Sequence, residues 1–138
     1  MPGAHILLVE DDEELREVIC RNLRARGHNV IEARDAQTAL ANLCATTFDL
    51  VLLDINLPDQ TGWDVLRIST AEGWIHPMGL PGHPEMLPVV ILSAVRVNPR
   101  RVAEFHPLAY LPKPFPMEAL LRISAEMAER RSAHPESA

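Results

Sequence analysis

The sequence predicts an α/β domain with a doubly wound parallel sheet buried on both faces, and three observations carry that prediction. Short apolar runs of strand length recur without polar alternation, as in His5-Ile6-Leu7-Leu8-Val9, Asp49 to Leu53 and Pro88-Val89-Val90-Ile91-Leu92. The stretches between them repeat their apolar residues at helical spacing. Charged and hydroxyl residues fall where the apolar runs stop, above all Asp54, the position at which open α/β sheets bind ligands. Five strands alternating with five helices imply right-handed crossovers and helices on both faces.

The first strand is His5 to Val9, followed by the acidic run Glu10-Asp11-Asp12-Glu13-Glu14. A first helix is predicted over about Glu13 to Arg26, with Leu15, Val18, Ile19 and Leu23 as its apolar stripe. Asp11 or Asp12 caps it, acids suit its positive end, and Gly27 stops it. His28 to Ala33 reads as the second strand. Asp35 caps a second helix with Ala36, Ala39, Leu40 and Leu43 inward. Asp49 to Leu53 is the third strand, after which Pro58 and Gly62 turn the chain. The third helix starts near Gly62 and carries Trp63, Val65, Leu66 and Ile68 to about Glu72. From Gly73 to Leu87 no periodicity survives, and Gly73, Pro77, Gly79, Pro81, Gly82 and Pro84 mark a long loop. The fourth strand, Pro88 to Leu92, ends in Ser93. A short fourth helix runs from Pro99 to about Phe105, and Pro107 ends it. Leu108 to Leu111 is the fifth strand. Lys113-Pro114-Phe115-Pro116 leads into a fifth helix with Ala119, Leu120, Ile123 and Met127 on one face. The domain is expected over residues 4–131, with Ser132 to Ala138 a flexible tail.

At 138 residues and 47% apolar content, the chain suits one domain with a full core. No stretch approaches the ~18 apolar residues of a membrane span. The opening Met1-Pro2-Gly3-Ala4-His5 lacks the features of a signal peptide, so a cytoplasmic protein is expected. Cys20 and Cys44 fall in predicted helices and read as buried free thiols rather than a disulfide or metal pair. A net charge of −6 argues against direct nucleic-acid binding by this chain.

The chemistry gathers at the carboxyl ends of the strands: Glu10, Asp11 and Asp12 after the first, Asp54 at the third, Ser93 at the fourth, Lys113 after the fifth. Two ionised carboxylates about 4 Å apart repel by ~4 kcal/mol at an effective dielectric of ~20. Three in one crevice call for a cation, and oxygen ligands suit Mg²⁺ or Mn²⁺. An acidic first loop also disfavours a nucleotide, which seeks backbone N–H groups. The plainer reading, a solvated helix start, is preferred for Asp12, Glu13 and Glu14, and the metal role for Glu10 and Asp11. Lys113 reads as the ion-pair partner of the carboxylates and a clamp for a phosphoryl oxygen.

The ordered set of Glu10-Asp11, Asp54 within DINLPDQTGWD, Ser93-Ala94 and Lys113-Pro114-Phe115 resembles the receiver domain of two-component response regulators, over about residues 4–131. The resemblance implies a (βα)5 flavodoxin-like sheet in the order 2-1-3-4-5. It implies a signalling switch rather than an enzyme, in which Asp54 accepts a phosphoryl group from a sensor histidine kinase or phosphotransfer protein. Asp11, Asp54 and the backbone carbonyl of Asn56 would ligate Mg²⁺, with Glu10 acting through water. Ser93 and Lys113 would contact the phosphoryl group, and Tyr110 would follow Ser93 as the switch aromatic. Asn56 and Val95 occupy the positions that admit and orient the attacking water. Lys113-Pro114 is expected to be cis. The output partner is open, with a homodimer one outcome and no membrane involved.

Three features depart from the family pattern. Serine stands at position 93 where threonine is commoner. The connection from the third helix to the fourth strand is longer, and the segment from Ser93 to Lys113 is slightly shorter. Alternatives from other classes are a constitutive receiver-like scaffold and a Mg²⁺-dependent aspartyl-phosphate phosphatase. The phosphatase needs a second aspartate where Asn56 stands, and the scaffold usually lacks an acid or lysine that is present here. His76, His83, Met78 and Met86 in the long loop carry no metal reading. Trp63 and Trp74 read as packing residues, and Arg100, Arg101, Arg130 and Arg131 as solvated charge.

Overall fold

The computed structural model describes residues 3–77 and 86–133, with side chains to residue 131. The elements alternate in chain order: β1 (His5–Val9), α1 (Glu13–Ala25), β2 (Asn29–Ala33), α2 (Ala36–Ala45), β3 (Leu50–Asp54), α3 (Gly62–Ala71), β4 (Leu87–Ser93), α4 (Pro99–Phe105), β5 (Pro107–Pro112) and α5 (Met117–Ala133). All strand pairs are parallel, in the order β2-β1-β3-β4-β5. That is the doubly wound order implied by the family resemblance.

Alternating strand residues build two cores. Leu7, Val9, Val51, Leu53, Val89 and Ile91 face α2, α3 and Phe105 of α4. Ile6, Leu8, Leu50, Leu52, Val90 and Leu92 face α1 and α5. This two-sided burial is why the strand runs lack polar alternation.

Local chemistry sets most boundaries. Asp12 Oδ1 accepts from the Leu15 N–H and caps α1. Gly27, at φ +84°, follows the helix, and bonds from Gly27 N–H to Arg24 O and His28 N–H to Leu23 O close it. Asp35 caps α2 through the Thr38 N–H. Thr61 and Asp64 form a reciprocal capping box on α3. His106, at φ +49°, ends α4, so Pro107 opens β5 as well as barring further helix. Pro88 lies within β4 where the register with β5 shifts between Leu87 and Val90, an irregularity that suits a residue without an N–H.

Several expectations need correction. Val18 is 45% exposed and Cys20 takes its place in the buried stripe, because the sheet-facing line of α1 runs through Ile19, Cys20 and Leu23. Cys20 and Cys44 are both free, but only Cys20 is buried. Cys44 turns about 100° from its buried neighbour Leu43, out of the α2 stripe. On α5, buried Leu120 and Met127 are joined by Ser124, while Ala119 is only half-buried. Ser132 and Ala133 continue α5 rather than starting a tail, and the rest of the expected tail lies outside the described residues. Arg131 is not simply solvated, since it pairs with Asp49 at 3.1 Å. Arg101 pairs with Glu104.

Of the long loop, residues 78–85, including Met78 and His83, lie outside the described residues. Its first part folds back: the Trp74 and Ile75 N–H groups donate to Ser69 O, and Ile75 is buried in the α2–α3 core. Trp63 stacks on Phe105 with ring centroids 6.2 Å apart, as befits a packing residue.

Candidate functional site

Register gathers the strand ends. Val9 pairs with Leu53, Asp54 with Leu92, and Ser93 with Pro112. The next residues, Glu10 and Lys113, therefore emerge beside Asp54, and the Lys113 N–H donates to Ser93 O at 2.8 Å. The Lys113-Pro114 peptide bond is cis. The turn after Asp54 is tight: Gly62 N–H donates to Ile55 O, and Asn56 bridges to Thr61. A Cβ on Gly62 would lie 2.6 Å from the Asp54 carbonyl oxygen, so only glycine fits there.

Glu10, Asp11 and Asp54 each bring a carboxylate oxygen within 4.8 Å of the others. Glu10 and Asp54 are buried and Asp11 is exposed, which leaves the cluster open on one side. Lys113 Nζ spans the two buried acids, 2.6 Å from Glu10 Oε1 and 3.2 Å from Asp54 Oδ2. The remaining oxygens are held by backbone: Asp12 N–H donates to Glu10 Oε2 and Asn56 N–H to Asp54 Oδ1. Burial, reinforced by the neighbouring Asp54 carboxylate and only partly offset by Lys113, pushes the Glu10 carboxyl up to about 7. Burial works against the Lys113 ammonium, but hydrogen bonds and charge from Glu10 and Asp54 outweigh it and raise its pKa. Three carboxylates against one ammonium leave an acid excess that a divalent, oxygen-seeking cation would balance.

Ser93 is buried at the end of β4, but its hydroxyl turns along the chain. Its Oγ donates to Val95 O at 2.9 Å and accepts from the Val95 N–H. The Tyr110 hydroxyl donates to the same Val95 carbonyl at 3.3 Å. Asn56 is exposed on the loop that follows Asp54.

The sequence matches the family model of the response regulator receiver domain over residues 6–124. The chain belongs to the response regulator receiver family. Membership implies a phosphoacceptor role in two-component signalling. Over 122 residues this receiver is 35% identical to the transcriptional activator protein PfeR of Pseudomonas aeruginosa, covering 87% of this chain and 36% of that protein. The chain thus spans little more than a third of that relative's length. The non-phosphorylated HemR receiver domain from Leptospira biflexa is similar at a TM-score of 0.73 and 28% identity, over 93% of this chain and 94% of that one. Response regulator protein TrrA from Thermotoga maritima, solved in complex with Mg²⁺-BeF, shares the fold at a TM-score of 0.69 and 22% identity, over 92% of this chain and 99% of that one.

Two side chains that tie the loops bearing the site acids to neighbouring elements are not legible in the sequence. Arg16 Nη1 donates to Glu10 O at 2.9 Å while its Nε pairs with Glu32, tying the acidic loop to α1 and β2. An arginine four residues into an amphipathic helix reads as solvent-facing, and nothing local signals its reach. Asp59 accepts from the first N–H groups of α2, 23 and 22 residues away in sequence. Its only sequence signal is the turn-forming Pro-Asp pair, which marks the loop but not its partner.

Proposed function

We propose that Asp54 is the phosphoacceptor of this receiver. The single observation that carries the reading is the convergence of Glu10, Asp11 and Asp54 with Lys113 Nζ bridging the two buried acids. The donor is the phosphohistidine of a sensor histidine kinase or phosphotransfer protein. An Asp54 carboxylate oxygen forms the new O–P bond as the N–P bond of the donor breaks, and the imidazole nitrogen keeps the electron pair.

Asp11, Asp54 and the Asn56 carbonyl are the proposed Mg²⁺ or Mn²⁺ ligands, with Glu10 acting through a water. When bound, the cation supplies the charge that lets one anion approach another and polarises the phosphoryl oxygens. That TrrA was solved with Mg²⁺-BeF supports the same requirement here. Lys113 moves part of its hydrogen bonding from the carboxylates to the phosphoryl group. Ser93 exchanges its bond to Val95 O for one to a phosphoryl oxygen, and Tyr110, sharing that acceptor, follows. Contacts made only in the phosphorylated state are what shift a two-state equilibrium toward partner binding, whether the partner is an output protein or a second copy. The role implies a cytoplasmic protein and no catalytic turnover of an outside substrate.

The test is labelling by a small phosphodonor with Mg²⁺. Intact-mass measurement is expected to show one phosphoryl adduct that disappears in Asp54→Ala. An adduct of equal yield in that variant overturns the assignment, and turnover of a generic phosphate ester by the parent would favour a phosphatase.

A further inference from the structure

We infer that Asp59 is a positioning residue for the cation site, holding the β3–α3 loop in place by fastening its apex to the N-terminus of α2. The inference rests on the proposed role of the Asn56 carbonyl as a cation ligand. The loop from Asn56 to Thr61 is closed at its base by the Asn56–Thr61 bridge and by the Gly62 N–H to Ile55 O bond. On its inner side Leu57 packs against the core. At its apex the Asp59 carboxylate reaches across to a different element. Its Oδ1 accepts from the Ala36 N–H at 2.9 Å and its Oδ2 from the Gln37 N–H at 3.0 Å, while Oδ1 also accepts from Gln60 N–H within the loop. These backbone bonds, the one from Ala36 foremost, hold the Asp59 carboxyl below the usual carboxylate range, so the tether is anionic at neutral pH.

The helix start gains two distinct carboxylates. Asp35, in the α2 approach itself, satisfies the Thr38 N–H. Asp59 satisfies the two preceding N–H groups from the neighbouring β3–α3 loop. Both cap the helix, but only Asp59 belongs to the segment that carries Asn56. Without it the apex loses its fastening to α2, and the base bonds alone are left to hold the peptide unit whose N–H binds Asp54 Oδ1 and whose neighbour presents the Asn56 carbonyl. Outer partners that orient a ligand typically influence metal affinity by about 10–100-fold.

The contrast between the two aspartates makes the test. Mg²⁺ titration by calorimetry or tryptophan fluorescence, together with thermal unfolding, is run on the parent, Asp59→Ala, Asp59→Asn and Asp35→Ala. Asp59→Ala is expected to weaken Mg²⁺ binding about tenfold. Asp59→Asn, which keeps one accepting oxygen without the charge, is expected to weaken it by a smaller but measurable factor, about threefold. Asp35→Ala lowers the unfolding temperature but leaves Mg²⁺ affinity near the parental value. If both alanine variants lose stability and neither changes Mg²⁺ affinity, Asp59 is only a helix cap and the inference fails alone. Should Asp59→Ala not fold, an Asp59→Asn variant with unaltered Mg²⁺ affinity overturns it. A parent that binds no Mg²⁺ and takes no phosphoryl group sinks the phosphoacceptor reading and this inference with it.

Discussion

Lys113 stands closer to Glu10 than to Asp54: its Nζ lies 2.6 Å from Glu10 Oε1 and 3.2 Å from Asp54 Oδ2. The ammonium is anchored mainly by Glu10, and Asp54, the proposed acceptor, is held more loosely. Such an arrangement leaves Lys113 free to turn toward a new anion on Asp54 without losing its first partner. Lys113→Met is therefore expected to slow labelling by a small phosphodonor about a hundredfold, the usual scale for one lost charge-stabilising donor. Rapid-quench labelling measures it, and a rate within a few-fold of the parent would exclude Lys113 from the transfer step.

The Glu10 carboxyl makes the metal-free protein sensitive to pH in an unusual direction. Its folded pKa is about 7 against an ordinary value of 4.5. Between those values the folded chain holds a proton that the unfolded chain has lost, so this group's contribution to stability falls as pH rises through that window. Mg²⁺ held at the proposed site would remove the penalty by favouring the ionised acid. Denaturant titrations at about pH 5.5 and about pH 8 are expected to show that Mg²⁺ stabilises the parent more at the higher pH. Glu10→Gln should lose that pH dependence, and retention of it would put its origin elsewhere.

His28 acts with the opposite sign. Its buried ring accepts the Ala4 N–H at Nδ1, 3.0 Å away, and joins the start of β1 to the start of β2. Burial, aided by the Arg26 charge, lowers its pKa below 6.5. A lowered folded pKa for a base means that stability is present above the unfolded value and is lost as pH falls through about 6.5 toward the folded pKa. His28→Gln is expected to flatten that acid limb, which must be measured in the Glu10→Gln background because the two groups oppose each other there. An acid limb unchanged by the substitution would mean that His28 is not its source.

Hydrolysis of the phosphorylated state is expected to be slow. The family resemblance implies that Val95 stands where the attacking water is admitted, and the residue is 53% exposed beside Ser93. It has no group to orient a water. Val95→Glu should shorten the lifetime of the adduct several-fold, read by intact mass after removal of the donor. Equal decay in parent and variant would refute the role of this side chain.

The α3–β4 connection should matter for stability and not for transfer. α3 runs back from the carboxyl end of β3, so its C-terminus and residues 72–77 lie about a strand length, ~17–20 Å, from the acidic cluster. Ile75 is nevertheless 5% exposed and packed in the α2–α3 core. Ile75→Ala is expected to cost about 2–4 kcal/mol in denaturant titration while phosphodonor labelling stays within a few-fold. Replacing residues 78–85 with a short Gly-Ser linker should likewise spare labelling. Loss of labelling in either folded variant would require the connection to reach the site.

Features that depend on near neighbours or on a period were legible in the residues alone. Strand runs without alternation announced a sheet covered on both sides, and Asp35 and Gly27 marked helix ends through bonds made within a few residues. The site acids and lysine were legible because each stands where an apolar run stops, and a parallel sheet brings such ends to one edge. The partners of the polar groups, by contrast, emerge from the packed chain. Lys113 reaches Glu10 across 103 residues, Arg16 finds the Glu10 carbonyl, Asp59 crosses to α2, and Ser93 turns to Val95 rather than to Asp54. Packing also set the outward turn of Val18 and Cys44, since a hydrophobic period names a stripe but not how wide a strip the sheet covers. Such contacts follow from strand register and from the way each helix lies on the sheet, properties of the whole packed chain that no short window of sequence contains.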